Sequence, residues 1–257
     1  MSLQARMSGS RTKASIDPDR LLSLNRGVAE SQNHIEEMAM DWPILLGYAY
    51  PDHGFDTAAI SKAPFIRRFR LLGELLRTRY GATLLSEEFT WISDTVRGWL
   101  AMAVGGDPGL SIGQKMESLL PYARDHHFAV REWAWLALRP DIVSEPLQAF
   151  ETIQELARSA NHFDRRFAVE ALRPRSVWGS HIEAFKASPE LAEDFLATLR
   201  CDDHIYVRLS LGNWLNDAAS TRPDWVRSTV DGWLSSCSCK YTEHIVRRAT
   251  RRISRPI

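Results

Sequence analysis

The sequence has almost no lysine. Its 32 basic residues are five lysines and 27 arginines, balanced by 32 acids, so the formal net charge is zero. Neutrality removes bulk basicity as a reason to expect nucleic acid. The arginine excess has two readings: a planar guanidinium suits phosphate and carboxylate, and an arginine-rich coding composition gives the same bias. Cysteine is scarce as well. Cys201, Cys237 and Cys239 are odd in number, which argues against a disulfide framework. Cys237, Cys239 and His244 lack the usual ligand spacings of a zinc site, so no metal is expected. No apolar run is long enough to span a bilayer and no secretory leader is evident, so no membrane is expected as a partner. A reduced, cytoplasmic setting is the expectation. Period-2 alternation is also missing, so nothing in the chain suggests a sheet.

What remains is a helical sequence long enough, at 257 residues, to bury a substantial core. Residues 1–20 carry little apolar content and are expected to form a mobile tail, followed by one repeat domain over 21–257. Leu24-Asn25-Arg26-Gly27 marks a turn. Helical spacing then predicts a helix over Ser31 to Tyr50, with Glu36 and Glu37 placed to suit the helix dipole. One or two helices are expected over Asp56 to Tyr80, ending at Gly81. Another is expected over Leu84 to Val104, with Phe89, Trp91, Ile92, Val96, Trp99 and Leu100 as core. Gly105-Gly106-Asp107-Pro108-Gly109 is the clearest break.

After that break a pattern recurs. An aromatic or branched residue and an arginine precede an apolar helix at Arg131, Arg165, Arg208 and Arg247, with spacings of 34, 43 and 39 residues. Ala137 to Pro140 and Ala171 to Pro174 share the tetrapeptide ALRP, each with a repeat arginine eight residues before its own arginine. Periods near 40 without strands predict an all-α fold, an α-α superhelix of HEAT-like repeats stacked right-handedly. Stacking would align the four arginines as a stripe. The alternative is that each bonds a neighbouring acid or carbonyl. In the run Lys240, Arg247, Arg248, Arg251, Arg252 and Arg255, Glu243 is the one acid, which leaves cations for phosphate.

Two stretches carry chemistry. Asn161 to Trp178 reads NHFDRRFAVEALRPRSVW, with Arg165 and Arg166 opening a helix, Glu170 inside it, and Arg173-Pro174 ending it. Cations, an acid and an aromatic in one patch suit a nucleic acid. The plainer readings are an i,i+4 surface salt bridge between Arg166 and Glu170, and a core role for Trp178. Leu209 to Asp217 reads LSLGNWLND, which on a helix puts Ser210, Asn213 and Asp217 on one face, away from Leu211 and Leu215. The plainer reading for Asp217 is a helix cap.

These stretches resemble the AlkC-type bacterial DNA alkylation repair glycosylases, within the HEAT-like AlkC/AlkD superfamily. RRFAVEALRPRSVW, from Arg165, is similar to that family's R-R-L-x-S-E-G-x-R-P-R-L-P-W. VRLSLGNWLND, from Val207, is similar to V-R-R-S-V-A-N-H-L-N-D. LNRG and IEEMAMDW, at Leu24 and Ile35, resemble its N-terminal block. Val169 and Ala171 replace Ser and Gly of the pattern, Ser176-Val177 replaces Leu-Pro, and Leu209 and Trp214 replace Arg and His. The resemblance implies a monomeric, cofactor-free, monofunctional glycosylase. It would release cationic, 3-methyl-type N-alkylated bases from double-stranded DNA, held bent on a concave face. It implies Glu170 and Asp217 as the carboxylates that orient water and stabilise the sugar cation, in an order left open, and Trp178 as the aromatic beside them. Arg131, Arg165, Arg166, Arg173, Arg208, Asn213, Arg247, Arg248, Arg251 and Arg252 would hold DNA or substrate. Asn213 is expected to fix Asp217, and Arg166 or Arg173 to keep Glu170 ionised. No C-terminal immunoglobulin-like domain, which some members carry, is expected. Two other classes stay open: a non-catalytic protein that binds bent or branched DNA, and a HEAT-repeat scaffold for a protein partner.

Overall fold

The computed structural model describes residues 12–81, 91–236 and 239–253. The protein is 71% helical and has no strand among the described residues. The all-α expectation holds. Local signals explain most helix starts: Asp17, Asn33, Asp41, Asp56, Ser93, Ser111, Asn161 and His204 each accept a backbone amide of the helix they precede.

Several expected elements come out differently. Most of the stretch expected as a tail lies outside the described residues; within it a helix already begins at Pro18 and spans Pro18–Asn25, with proline in its first turn. Gly27 follows at φ 71°, as the turn requires. The single helix expected over Ser31 to Tyr50 is two, His34–Ala39 and Trp42–Ala49, because Asp41 caps the second and Pro43 sits in its first turn. Asp56 to Tyr80, by contrast, is two helices within the one or two expected, Thr57–Lys62 and Phe65–Tyr80, divided where Pro64 forces Ala63 into an extended conformation. The next helix is Asp94–Gly105; its expected start at Leu84, Phe89 included, lies outside the described residues. Val96, Trp99 and Leu100 are buried there as expected, but Ile92 is 56% exposed because it precedes the cap rather than lying in the helix.

The contacts group the chain into two compact units, the first up to Gly109 with Asp125–Ala137, the second Leu110–Arg124 with Leu138 onward. Trp42, Phe69, Trp99 and Trp133 centre the first unit. Phe69 stacks on Trp133 at 3.8 Å between ring centroids, and Trp42 meets Phe69 edge-on at 4.6 Å. Gly73 lets the Phe65–Tyr80 and Asp94–Gly105 helices pack tightly: a Cβ there would lie 2.7 Å from the Ala103 amide nitrogen. In the second unit the His162–Ala171, Ile205–Ala218 and Lys240–Ala249 helices pack successively side by side. Trp214 is fully buried there and donates its indole N–H to the Leu172 carbonyl at 2.8 Å.

The acids Glu36 and Glu37 do more than complement a helix dipole. Both are buried, Glu36 against Arg20 and Glu37 between His34 Nδ1 at 2.9 Å and the Trp133 indole at 3.0 Å. Burial pushes the Glu37 carboxyl up to about 7, against the pull of His34, and the Glu37 bond raises His34 in turn. Folded Glu37 therefore binds its proton more tightly than unfolded Glu37. Its contribution to stability is full below the unfolded value of 4.5 and is lost as pH rises through about 7. The loss is on the order of 3 kcal/mol. His204 and His244, both lowered by burial, act in the opposite direction near neutrality. The useful quantity is thus the stability difference between the parent and Glu37→Gln in urea titrations. It should shift in favour of the variant as pH rises from about 5 to about 8; a difference flat with pH would contradict the buried carboxyl.

Candidate active site: two carboxylates on one guanidinium

The repeat arginines come first, because their position in the helix decides their use. Arg131, Arg165 and Arg208 are each the fourth residue of a helix, in Phe128–Ser144, His162–Ala171 and Ile205–Ala218. From there Nη1 reaches back to the two carbonyls before the helix. The distances are 2.7 and 2.8 Å for Arg131 to Asp125 and His126, 2.9 and 3.1 Å for Arg165 to Ser159 and Ala160, and 3.0 and 2.6 Å for Arg208 to Asp202 and Asp203. Arg97, which the sequence pattern missed, does the same from the fourth position of Asp94–Gly105, to Trp91 and Ile92 at 2.9 and 2.6 Å. Its signal was there: Val96-Arg97 precedes Val130-Arg131 by 34 residues, one repeat. Arg97 and Arg165 also fork onto Asp125 and Asp202. The carbonyl-binding alternative is therefore the one seen at Arg131, Arg165 and Arg208. Arg247 is not their equivalent: it is the eighth residue of Lys240–Ala249, is exposed, and has no loop carbonyls five and six residues behind it. Arg124, by contrast, forks onto buried Asp164 at 2.7 and 2.8 Å.

In the second unit Glu170 and Asp217 meet on Arg173. Arg173 Nη1 donates to Glu170 Oε2 at 3.0 Å, while its Nε and Nη2 reach Asp217 Oδ2 at 2.9 and 2.8 Å. Ser210 Oγ donates to the other Glu170 oxygen at 2.6 Å, and Arg166 Nη2 lies 3.9 Å from it. The Arg166–Glu170 pair is thus a buried ion pair rather than the surface bridge of its plainer reading. The guanidinium of Arg166 lies 4.2 Å above the Tyr206 ring.

The same arginine acts differently on the two acids. Burial alone would raise Glu170, but Arg173, Arg166 and the Ser210 hydroxyl outweigh it and hold the carboxyl below its ordinary value. For Asp217 burial wins: its carboxyl is raised despite Arg173, with the charge of Glu170 adding to the rise. Burial opposes the Arg173 charge, but Glu170 and Asp217 together raise its pKa. Two neighbouring carboxyls pushed in opposite directions is the arrangement by which one site separates an acid or base from a fixed anion.

The neighbouring residues have distinct partners. Asn213 does not fix Asp217; its carbonyl oxygen accepts from Arg248 Nε at 2.7 Å and Arg251 Nη2 at 3.5 Å. The reason is register: Glu170, Asn213 and Arg248 are each the ninth residue of their helix, so Asn213 faces Arg248 on the next helix. Gly212 permits the approach, since a Cβ there would meet Arg248 Cβ at 2.8 Å. Arg252 bonds Ser220 Oγ at 2.8 Å and Asn216 Oδ1 at 3.3 Å. Trp178 is 40% exposed, so it is not a core tryptophan. Its loop is pinned by Arg139, a residue outside the sequence-derived set, which donates to the Ala171 carbonyl and the Ser180 carbonyl, both at 2.9 Å. The shared ALRP tetrapeptide, which makes Arg139 the counterpart of Arg173, was its signal.

Among the described residues, one group could geometrically hold a metal ion: Glu30, Asp125 and His126 in the first unit. Arg97 already forms ion pairs with both carboxylates, so the positive charge a metal would supply is present. No helix among the described residues is long and apolar enough to cross a membrane.

No protein-family model matches the chain. Protein YhaZ of Bacillus subtilis, described as uncharacterized, is 32% identical over 115 residues, 45% of this chain but 32% of YhaZ, so the match spans about a third of that relative. Pseudomonas fluorescens alkylpurine DNA glycosylase AlkC, solved bound to DNA containing an abasic site analog, superposes with a TM-score of 0.67 and 22% identity; 95% of this chain covers 65% of AlkC. AlkD2 from Streptococcus mutans gives a TM-score of 0.57 and 22% identity over 77% of this chain and 99% of its own. The protein smu.31 from Streptococcus mutans UA159 gives 0.56 and 23% over 76% and 98%. The resemblance first seen in short motifs thus extends to the architecture, and the chain has the all-α, HEAT-like fold of the AlkC and AlkD DNA glycosylases.

Proposed function

We propose that the protein is a DNA repair glycosylase that hydrolyses the N-glycosidic bond of cationic N-alkylated bases. The observation that carries this reading is the Glu170–Arg173–Asp217 bridge, in which two buried carboxylates from adjacent helices come together with opposite pKa shifts. A cationic base leaves with the bonding pair as a neutral molecule and needs no proton from the enzyme. The work lies in the positive charge left on the sugar and in the water that ends it. Glu170, held ionised, is the fixed anion that stabilises that charge. Asp217, with its raised pKa, is the base: as the water oxygen bonds the anomeric carbon, the water proton passes to Asp217. Arg173 orients both carboxyls, and exposed Trp178 offers a π face to the sugar or cationic base. The direct test is release of 3-methyl-type bases from methylated duplex DNA. Release at the uncatalysed rate would remove the enzymatic reading.

Duplex DNA is the proposed partner, held through phosphate. Arg248, Arg251 and Arg252 lie near Asn213 and Asn216. Partial burial, then repulsion from Arg251 and Arg173, lowers the pKa of Arg248, so these cations stand in a field that an anion would relieve. Arg247, exposed on the same helix, joins the set. Binding should depend steeply on salt and little on sequence, and replacing these four arginines by alanine should reduce the log–log salt slope by up to about 3–4. An unchanged slope would assign them to the fold.

A second reading keeps the DNA but not the chemistry. Both carboxylates are committed to Arg173, as they would be in a purely structural ion-pair network. A protein that binds duplex with the salt dependence above but releases no base would be of this kind.

A further inference from the structure

Between the His162–Ala171 and Glu183–Ala187 helices the chain makes a loop that presents two consecutive apolar side chains, Val177 88% exposed and Trp178 40% exposed. Single exposed apolar residues are common and by themselves mean nothing. This loop differs because it is held. Arg139, itself buried, donates to the Ala171 carbonyl before the loop and to the Ser180 carbonyl after it, so one guanidinium ties both stems. The Ile182 amide donates to the Pro174 carbonyl at 3.0 Å. At the tip, Ser176 Oγ accepts the amides of Trp178 and Gly179 at 3.3 and 3.0 Å. Valine is branched at Cβ and stiff at χ1, so the exposed side chain has little freedom left to lose when a partner covers it. The loop also adjoins the basic set. Arg175 Nε donates to the Asp217 carbonyl at 3.4 Å and Arg252 Nε to the Asn216 side chain at 3.3 Å, so a cation of the loop and one of the C-terminal run bind adjacent residues of one helix. An apolar tip flanked by arginines matches a duplex, whose bases lie between two rows of phosphate.

We propose that Val177 is a wedge that enters the base stack of bound duplex DNA, beside the nucleotide held at Glu170 and Asp217, and kinks it. An apolar side chain that parts a base step unstacks it and bends the helix axis. Arg175 and Arg252 offer cations to the phosphates on either side. Opening a step costs stacking, and a loop that is already ordered meets that cost without also having to order itself. Unstacking loosens the neighbouring nucleotide, which opens its sugar to the two carboxylates. The wedge rests on the duplex-binding part of the proposed function and not on its chemistry.

The test uses the full-length protein and short undamaged duplexes. One set carries 2-aminopurine, whose fluorescence rises on unstacking, at each central position in turn; another carries a dye at each end to read bending. At low salt and saturating protein, the parent should raise the fluorescence several-fold at central positions and bend the duplex by about 20° or more. Val177→Gly should lose most of both effects, and Val177→Leu, which keeps an apolar wedge, should retain them. Val177→Ser keeps the Cβ and should behave like Val177→Gly. The salt dependence of binding should be the same in all four proteins, because no phosphate contact is removed. The side chain is exposed, so each variant should fold, as circular dichroism will show. A rise lost in Val177→Gly but kept in Val177→Ser would trace the effect to loop stiffness and overturn the wedge. Equal unstacking in all four proteins, or parent binding with no unstacking at any position, would overturn the wedge and leave duplex binding standing. The second result is the one expected if the exposed pair is covered by a protein partner instead. A parent that binds no duplex would overturn the duplex reading and the wedge with it.

Discussion

Replacing Glu170 by glutamine, or Asp217 by asparagine, is expected to slow release of a 3-methyl-type base from DNA on the order of a hundred- to thousand-fold. That corresponds to about 3–4 kcal/mol of lost transition-state stabilisation. The two variants should fail differently. Glu170→Gln removes a carboxylate that Arg173 and Arg166, against the opposing effect of burial, hold below its ordinary pKa. Its residual rate should follow the parent pH profile at a lower level. Asp217→Asn removes the base. The parent rate should fall as pH drops through the Asp217 pKa, which burial places above the ordinary aspartate value of 3.8, and this acid limb should be missing in the variant. Neither change is neutral for the fold, because each takes a charge from a buried network. Rates are therefore to be compared at a temperature where circular dichroism shows each variant fully folded. Duplex affinity should change little. Excision by both variants at the parent rate would show that the chemistry lies elsewhere.

Replacing Arg173 by methionine should have the largest effect on stability. The side chain is similar in length, but Glu170 and Asp217 would stay buried, with Arg166 at 3.9 Å and the Ser210 hydroxyl as the remaining help for Glu170. Leaving buried charge uncompensated typically costs about 3–5 kcal/mol. The pH dependence identifies the cause. Without Arg173 the folded-state pKa of each carboxyl rises. The penalty is then full at neutral pH and fades as pH falls through the raised folded-state pKa of each carboxyl in the variant, where the buried group takes up a proton. Urea titrations at about pH 7.5 and about pH 4 should therefore give a large difference from the parent in the first and a small one in the second. Arg173→Lys keeps the charge without the fork that spans two carboxylates and should fall between. A loss under about 1 kcal/mol at neutral pH would mean that Arg173 does not hold the pair.

Much of the site was legible because its parts sit in local patterns. Glu170, Arg173 and Trp178 lie within one stretch of 14 residues, and Ser210, Asn213 and Asp217 share the spacing of one helix face. Asn213 shows the limit of that argument. Helical spacing says which residues share a face, not which neighbour that face meets, and the next helix presents Arg248 to it. Arg247 shows another. It follows Val246 as the other repeat arginines follow Val or Asp, but four more helical residues precede it, and the matching fourth position is Glu243. The two ALRP tetrapeptides part company in the same way. The helix stops at Ala171 before Pro174, whereas the Phe128–Ser144 helix runs through Pro140. There Asp141 pairs with Lys115 at 2.8 Å and Ile142 is fully buried, and such tertiary contacts can offset the backbone hydrogen bond that a proline removes.

The sequence alone determined what depends on near neighbours along the chain: the helical class, the caps, the breaks at proline and glycine, and the period of the repeats. These follow from backbone sterics and amide satisfaction over a few residues, which no distant contact is needed to supply. Tertiary structure decided which arginines bind their own loops, which acid stays ionised and which is raised, and that Arg139 pins the loop of Trp178. Those properties depend on burial and on charges brought together from about 40 residues away. Coulomb interactions and desolvation act through space, so the sequence names the groups but not the field each one feels.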